Sequence, residues 1–302
     1  MGLSSKDFAL LLRLKGEGYV PDRSSIIEIG AQQISNTLLR SHKLIERAQH
    51  LFARDRAFEL AIPLETHVAH GRHEHQHADA PLARDLWAWL GFEYASIDID
   101  GSPGSIPLDL NFDAVPSRHR GRYQVVTNFG TTEHVANQLN AFKIIHDLTA
   151  VGGVMLHNLP AQGMMNHGLV NYNPKFFWML ARSNGYKWLY MDLTTDAAYP
   201  LPQNIADYII ASEPEERERL ESARFADCGL TVAVQKTFDI PFVAPLDVPT
   251  GATIDDPVMR RRYWTVLNPA ALSNPKLLVA RAGPGRTFKR ALQKLRRRFS
   301  GG

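Results

Sequence analysis

Two kinds of apolar pattern alternate along this chain. Short continuous apolar runs read as buried strands, and stretches with apolar residues every three or four positions read as helices with one buried face. Residues 4–15 predict a short helix, broken by Gly16, Gly18, Pro21 and Asp22. Residues 25–30 (SIIEIG) predict the first strand, 94–100 (YASIDID) the second, 106–111 (IPLDLN) a short third element and 123–128 (YQVVTN) a fourth. Residues 35–90 read as helical or irregular with a histidine-rich centre. After the fourth strand, Thr131 and Thr132 are the expected helix caps, with Glu133 in the first turn. Val135, Leu139, Phe142, Ile145 and Leu148 give that helix an apolar face, and Gly152-Gly153 is its expected end. Residues 154–159 predict the next strand. Asn173-Pro174 predicts a helix start, with Phe176, Phe177 and Leu180 turned inward and Asn184-Gly185 at its end. Strands at 186–193 and 230–238 follow, with a charged helix at 214–224 between them. This alternation predicts an α/β fold with a mostly parallel sheet and helices on both faces. Ligands of such sheets bind beyond the carboxyl ends of the strands.

Composition narrows the classes. Of the 302 residues, 44% are hydrophobic and 22% charged, enough apolar material for a sizeable core. No apolar run approaches the ~18 residues of a spanning helix, and the start of the chain lacks the small-residue cleavage site of a secretory leader. The lone Cys228 excludes an intramolecular disulfide framework and fits a reducing, cytoplasmic setting. The net charge of +3 conceals an asymmetry, because twelve Lys/Arg and no acidic residue lie from Pro257 onward. The remainder carries 22 basic against 31 acidic residues. No nucleic-acid module is recognisable, and no nucleic-acid partner is expected. In residues 286–299, Phe288, Leu292, Leu295 and Phe299 recur at helical spacing on an otherwise basic segment. Such a segment rests peripherally on the inner, anionic membrane face, binds RNA, or stays a solvated terminus.

The candidate chemistry follows the strands. Gly30, after strand one, permits close backbone approach, and a following helix would offer free N–H groups to a ligand. Of a GxGxxG pattern only Gly30 is present, since Gln32 and Ser35 stand where the other glycines would be. Asp98 and Asp100 end strand two, where a carboxylate can accept both hydroxyls of a ribose or simply sit solvated. Asp109 can accept from an adenine amino group or serve as a turn residue.

Taken in order, Glu28-Ile29-Gly30, Asp98 and Asp109 resemble the loop and the two acids of the class I S-adenosylmethionine-dependent methyltransferases. The stretch YQVVTNFGTTEHVANQLNAFKIIHDLTAVGGVMLH resembles that family's fourth strand, helix, turn and fifth strand. HGLVNYNPKFFWMLARSNGYK looks like bacterial methyltransferase-like proteins of unassigned substrate. The likeness covers residues 22–36 and 91–238. It implies a Rossmann-like methyltransferase domain over 1–238, with a helical insertion at about 37–90 and an extension over 239–302 ending in the basic tail. It implies S-adenosylmethionine as cofactor, held by Glu28, Gly30, Gln32, Asp98, Asp109 and Asn128. The acceptor expected is an oxygen or nitrogen of a small molecule or saccharide. Two departures stand out: Gln32 replaces the usual second glycine, and about fifty-five residues separate the first loop from strand two. The first leaves a binding or scaffold protein without transfer activity as the alternative. A dinucleotide-binding reading is disfavoured by the missing glycines.

The remaining candidates are mostly histidines. His157 and His134 directly follow strands and are the expected catalytic bases, and each can equally be a hydrogen-bonded structural group. Glu133, Asn158, His167 and Tyr172 are the expected substrate contacts. His67, His70, His73, His75 and His77 fall in neither a zinc-finger spacing nor HExxH, so no metal requirement is expected.

Overall fold

The computed structural model describes residues 2–58, 81–99, 102, 104–194, 199–200, 218, 222, 224, 227–249, 252–267 and 272. Eight strands form one sheet: β1 (Ser25–Ile29), β2 (Glu93–Ile97), β3 (Ser105–Ile106), β4 (Tyr123–Phe129), β5 (Thr149–Gln162), β6 (Lys187–Thr194), β7 (Tyr199–Pro200) and β8 (Cys228–Gln235). Their order is β3-β2-β1-β4-β5-β8-β6-β7. β1 to β5 pair in parallel, and β8 runs antiparallel between β5 and β6. The expected Rossmann-like, mostly parallel sheet is therefore present. Chain order reverses at β1, whose neighbours are β2 and β4, so the crevice of such folds lies beyond the ends of β1 and β4.

The alternation within each strand distributes its side chains to two layers. Ile26, Val125, Val154 and Leu156 meet Phe8 and Leu11 of α1 (Ser5–Gly16), Leu38 of α2 (Asn36–Leu39), Ala48 of α3 (His42–Leu51) and Trp87 of α4 (Ala83–Trp89). Ile27, Ile29, Val126 and Met155 meet Phe142 and Ile145 of α5 (Gln138–Leu148) and Phe177 and Leu180 of α6 (Pro174–Asn184). The chain after β8 runs back over α5 and α6: Asn184 exchanges hydrogen bonds with Val243, and Arg182 donates to the Leu246 carbonyl. Asn173 caps α6 with proline in its first turn, and Gly185 ends it at φ +62°, both as expected.

Two expectations about α5 are corrected. Thr131 and Thr132 do not cap it. Residues Thr132–His134 form a single 3-10 turn, and the helix starts at Gln138 with Asn137 as cap. Leu139 accordingly falls on the outer side, 54% exposed. Nor do Gly152 and Gly153 end the helix. It stops at Leu148, where the Thr149 hydroxyl donates to the Ile145 carbonyl at 2.6 Å. The two glycines lie inside β5. A Cβ on Gly153 would sit 2.9 Å from the carbonyl oxygens of Ala150 and Tyr123, so glycine here permits close backbone packing.

Asp100, the histidine-rich segment at 67–77, most of the charged segment at 214–224 and the basic tail at 286–299 lie outside the described residues. Among the described residues, no helix is long and apolar enough to cross a membrane.

Candidate functional site

The loop after β1 is held from several sides. Gly30 takes φ +79°, and its N–H donates to the Ile97 carbonyl at 2.8 Å. A Cβ on Gly30 would collide with Thr131 Oγ1, which is itself fixed by donating to the Ile29 carbonyl at 2.6 Å. The close approach that requires glycine is thus made by the loop after β4. The Ala31 N–H donates to Asp98 Oδ2 at 2.9 Å, so the acid after β2 stands directly beside the loop after β1. The Gln32 N–H donates to Glu28, Ile34 to the Pro81 carbonyl and Ser35 to the Leu3 carbonyl. The donors expected to face a ligand are therefore engaged within the protein, because α2 does not follow the strand directly and the loop is bridged to residues 3 and 81–83.

Glu28 lies under this loop rather than in the crevice. It is fully buried, and its carboxylate accepts from Trp87 Nε1 (2.6 Å), Tyr94 OH (2.8 Å) and the Gln32 N–H (2.9 Å). Burial pushes its pKa up to about 7, against the pull of these donors. Gln32, where a small residue was expected, is 2% exposed. Its Oε1 lies 3.5 Å from the Thr127 hydroxyl, and its Nε2 has no hydrogen-bond partner among the described residues. Asp109 forms a turn, accepting from the Asn111 N–H at 2.7 Å.

Several of the expected catalytic, cofactor and substrate residues are tied into the interior of the protein. His157 is 2% exposed, packs between Phe142 and Phe177, and faces Asn128 Nδ2 at 3.2 Å. Burial drives its pKa down to about 3, so it is a neutral imidazole enclosed in the core. The structure thus places the expected base in the core between α5 and α6. Strand position alone did not say that its side chain points under α5 and α6. Asn128 is fully buried, with its amide bonded to the Thr132 hydroxyl and its Oδ1 accepting from the Thr132 N–H. Tyr172 is 3% exposed and its hydroxyl bonds Thr132 and Gln138, which places it beneath the loops. Asn158 donates to buried Asp7 of α1 at 2.8 Å. Asn158→Ala is expected to lower stability by about 1–3 kcal/mol, because a buried carboxylate oxygen loses its donor. A denaturant melt unchanged by the substitution would free Asn158 for a substrate role.

Glu133, His134 and His167 do converge. Glu133 Oε1 lies 3.8 Å from His134 Nε2 and 3.7 Å from His167 Nε2. Glu133 is fully buried, burial raises its pKa to about 7, and neither carboxylate oxygen has a hydrogen-bond donor among the described residues. His134 keeps about half of its side chain exposed, so the cluster opens outward. Around the carboxyl ends of the strands, Ile99, Phe112, Met165 and Leu169 are 79, 86, 91 and 69% exposed on the loops after β2, β3 and β5.

No family model and no curated protein matches this chain. It is similar to solved structures at low identity. One is the 1,6-didemethyltoxoflavin-N1-methyltransferase of Burkholderia thailandensis with bound 1,6-didemethyltoxoflavin and S-adenosylhomocysteine (11% identity, 78% of each chain, TM-score 0.37). Another is a SAM-dependent methyltransferase of Archaeoglobus fulgidus (11%, 76% of this chain and 94% of that one, 0.39). A third is the geranyl diphosphate C-methyltransferase of Streptomyces coelicolor A3(2) with magnesium, geranyl diphosphate and S-adenosylhomocysteine (11%, 76% and 82%, 0.33). All three are methyltransferases.

Proposed function

We propose that the chain is an S-adenosylmethionine-dependent methyltransferase acting on an oxygen or nitrogen of a small molecule or saccharide. The observation that carries the reading is the contact between Ala31 and Asp98 at the point where strand order reverses. It sets an acidic side chain beside a glycine-started loop, the arrangement that holds a nucleoside in open α/β sheets. In this reading Asp98 accepts from the ribose hydroxyls, the loop at Gly30 to Gln32 borders the methionine part, and Asp109 lies toward the adenine. The exposed apolar side chains Ile99 and Phe112, on the same edge, offer the adenine ring a surface. The protein's share of the chemistry is placement: transfer needs the acceptor atom in line behind the sulfonium methyl, and alignment itself supplies much of the acceleration.

Asp98→Ala is expected to weaken S-adenosylhomocysteine binding about ten- to a hundredfold in calorimetry, the loss of one or two charge-assisted hydrogen bonds. Unchanged affinity would remove Asp98 from the site. The second reading, a binding or scaffold protein on the same fold, is favoured by Gln32 and by the engaged N–H groups of its loop. Failure of both S-adenosylmethionine and S-adenosylhomocysteine to bind would decide for it.

A further inference from the structure

The loop between β5 and α6 is built onto Glu133. The N–H groups of Leu169 and Val170 donate to the Glu133 carbonyl at 2.8 and 3.2 Å, and Tyr172 OH reaches Thr132 at 2.8 Å. Gly168 lies flat against the Glu133 side chain, where a Cβ would meet Glu133 Cγ at 2.9 Å. Two non-glycine residues of this loop, Met164 (φ +51°) and Asn166 (φ +65°), take the left-handed conformation just before His167. Such residues cost free energy and persist where the surroundings over-determine them. The outcome is that His167, 33–34 positions away in sequence, is delivered to the Glu133-His134 pair. Its ring lies 5.5 Å from that of His134, and one ligand atom from each of the three residues lies within 4.8 Å of the others.

We propose that Glu133, His134 and His167 form a binding site for a divalent first-row transition-metal ion. A fully buried carboxylate that meets no donor among the described residues beyond the weak pull of its own backbone N–H asks for a cation. Two imidazoles and one carboxylate, with no thiolate, suit zinc, cobalt or iron(II) better than calcium or magnesium. The nitrogen–oxygen separations of 3.7 and 3.8 Å need to close by only a few tenths of an ångström. Bonds of about 2.1 Å in a tetrahedral site put neighbouring ligand atoms about 3.4 Å apart. Three protein ligands leave positions open, as in reactive rather than structural centres, and half-exposed His134 marks the open side. A hydroxyl or phenol oxygen of the acceptor fits such a position. Bound there it would lose its proton to solvent more readily, then form the new O–C bond as the C–S bond of the sulfonium breaks toward sulfur. This last role rests on the methyltransferase reading. Metal binding itself does not.

The test uses the full-length chain after dialysis against a chelator, titrated with cobalt(II) and followed by its visible d–d absorption. To separate the site from the histidines at 67–77, His67, His70, His73, His75 and His77 are replaced by Gln in the same full-length chain. One equivalent of cobalt is expected to bind this variant and to be displaced by zinc. Glu133→Gln, His134→Ala and His167→Ala, each added to it, are expected to weaken binding by about a hundredfold or more, beyond the 10–100-fold effect of an outer-shell residue. In the unsubstituted chain the same three changes should each remove one equivalent, which covers any folding defect from the five-residue replacement. His134 is half exposed, so its removal should leave the circular dichroism and thermal melt unchanged. Absence of a tight equivalent in both backgrounds, or equal affinity in well-folded His134→Ala and His167→Ala, overturns the proposal. Calorimetry with S-adenosylhomocysteine is scored separately, so failure of the cofactor reading leaves the metal result interpretable.

Discussion

Gly30→Ala is expected to lower stability by about 3–6 kcal/mol and to weaken any ligand held by the loop after β1. A side chain at φ +79° carries a backbone cost of roughly 1–2 kcal/mol. The new methyl also collides with Thr131 Oγ1, and that hydroxyl cannot retreat without giving up its bond to the Ile29 carbonyl. Overpacking of this kind typically costs about 1–3 kcal/mol, and the lost hydrogen bond about 1. The mechanism makes a second, sharper demand. In Thr131→Ala the obstructing hydroxyl is gone, so Gly30→Ala on that background should cost about 1–2 kcal/mol less than on the parent. Denaturant melts of the four proteins decide it: strictly additive losses would mean that the Thr131 contact is not what demands glycine.

Acid should destabilise the protein through His146, and His146→Gln should remove that dependence. His146 is 1% exposed, with Nδ1 against Tyr186 OH at 2.6 Å and Nε2 against the Ile240 carbonyl at 2.8 Å. Burial, with the nearby Lys236 ammonium, drives its pKa down to about 3. The hydrogen bond to the Ile240 carbonyl and then Asp147 favour its protonation, Lys143 opposes it more weakly, and burial outweighs them. The unfolded chain takes up this proton near pH 6.5 and the folded chain does not. Its stability contribution is therefore complete above pH 6.5 and drains away as pH falls toward 3, at about 1.4 kcal/mol per pH unit. By pH 4 the loss is about 3 kcal/mol. His157, equally buried and neutral, adds a parallel loss. Glu28 and Glu133 act in the opposite sense, since their folded-state pKa of about 7 means that they gain stability as pH falls from 7 to about 4.5. The wild-type profile should be shallow to about pH 4.5 and steep below it. Glutamine can accept from Tyr186 and donate to Ile240 without titrating, so the His146→Gln profile should start lower at pH 7 and converge on the wild type as pH falls. Parallel profiles between pH 6.5 and 4 would dismiss His146 as the titrating group.

Most of the sheet was legible because its central strands are buried on both faces. SIIEI and YQVVTNF admit no polar stripe, and such short runs bounded by turn residues have few other uses. The start of α5 was not legible, because Thr131 spends its hydroxyl across the sheet on Ile29, a contact 102 residues away in sequence. The Gly152-Gly153 pair reads as a helix stop, yet Gly152 serves a turn of the backbone at φ +85° and Gly153 the close approach of Tyr123 on the neighbouring strand. Within the candidate site, Gly30 and Asp98 were found from their places after strands. His157 lies on the core side of β5, which one residue of strand parity decides, and Tyr172 lies in the loop after it, bonded to Thr132 and Gln138; neither placement is readable from sequence order. The cluster of Glu133 with His134 and His167 had no sequence signal as a unit. Its spacing matches no compact ligand motif, and only the loop stitched to the Glu133 carbonyl brings the third member home.

The bond between Asp7 and Asn158 has a consequence for the order of events as the chain emerges from the ribosome. α1 has its own capping box at Ser4 and Asp7, so it can form as soon as it is made. Its apolar face (Phe8, Leu11, Leu12 and Leu14) has nowhere to go until the sheet exists, and the Asp7 partner lies 151 residues later. Leu3 likewise waits for Gln33 and Ser35. α1, made before the strands it packs on, is thus secured only after them, and closing so long a span carries an entropic cost that only late contacts offset. During that interval the nascent chain carries an exposed amphipathic helix, the kind of surface that chaperones bind and that aggregates when they do not.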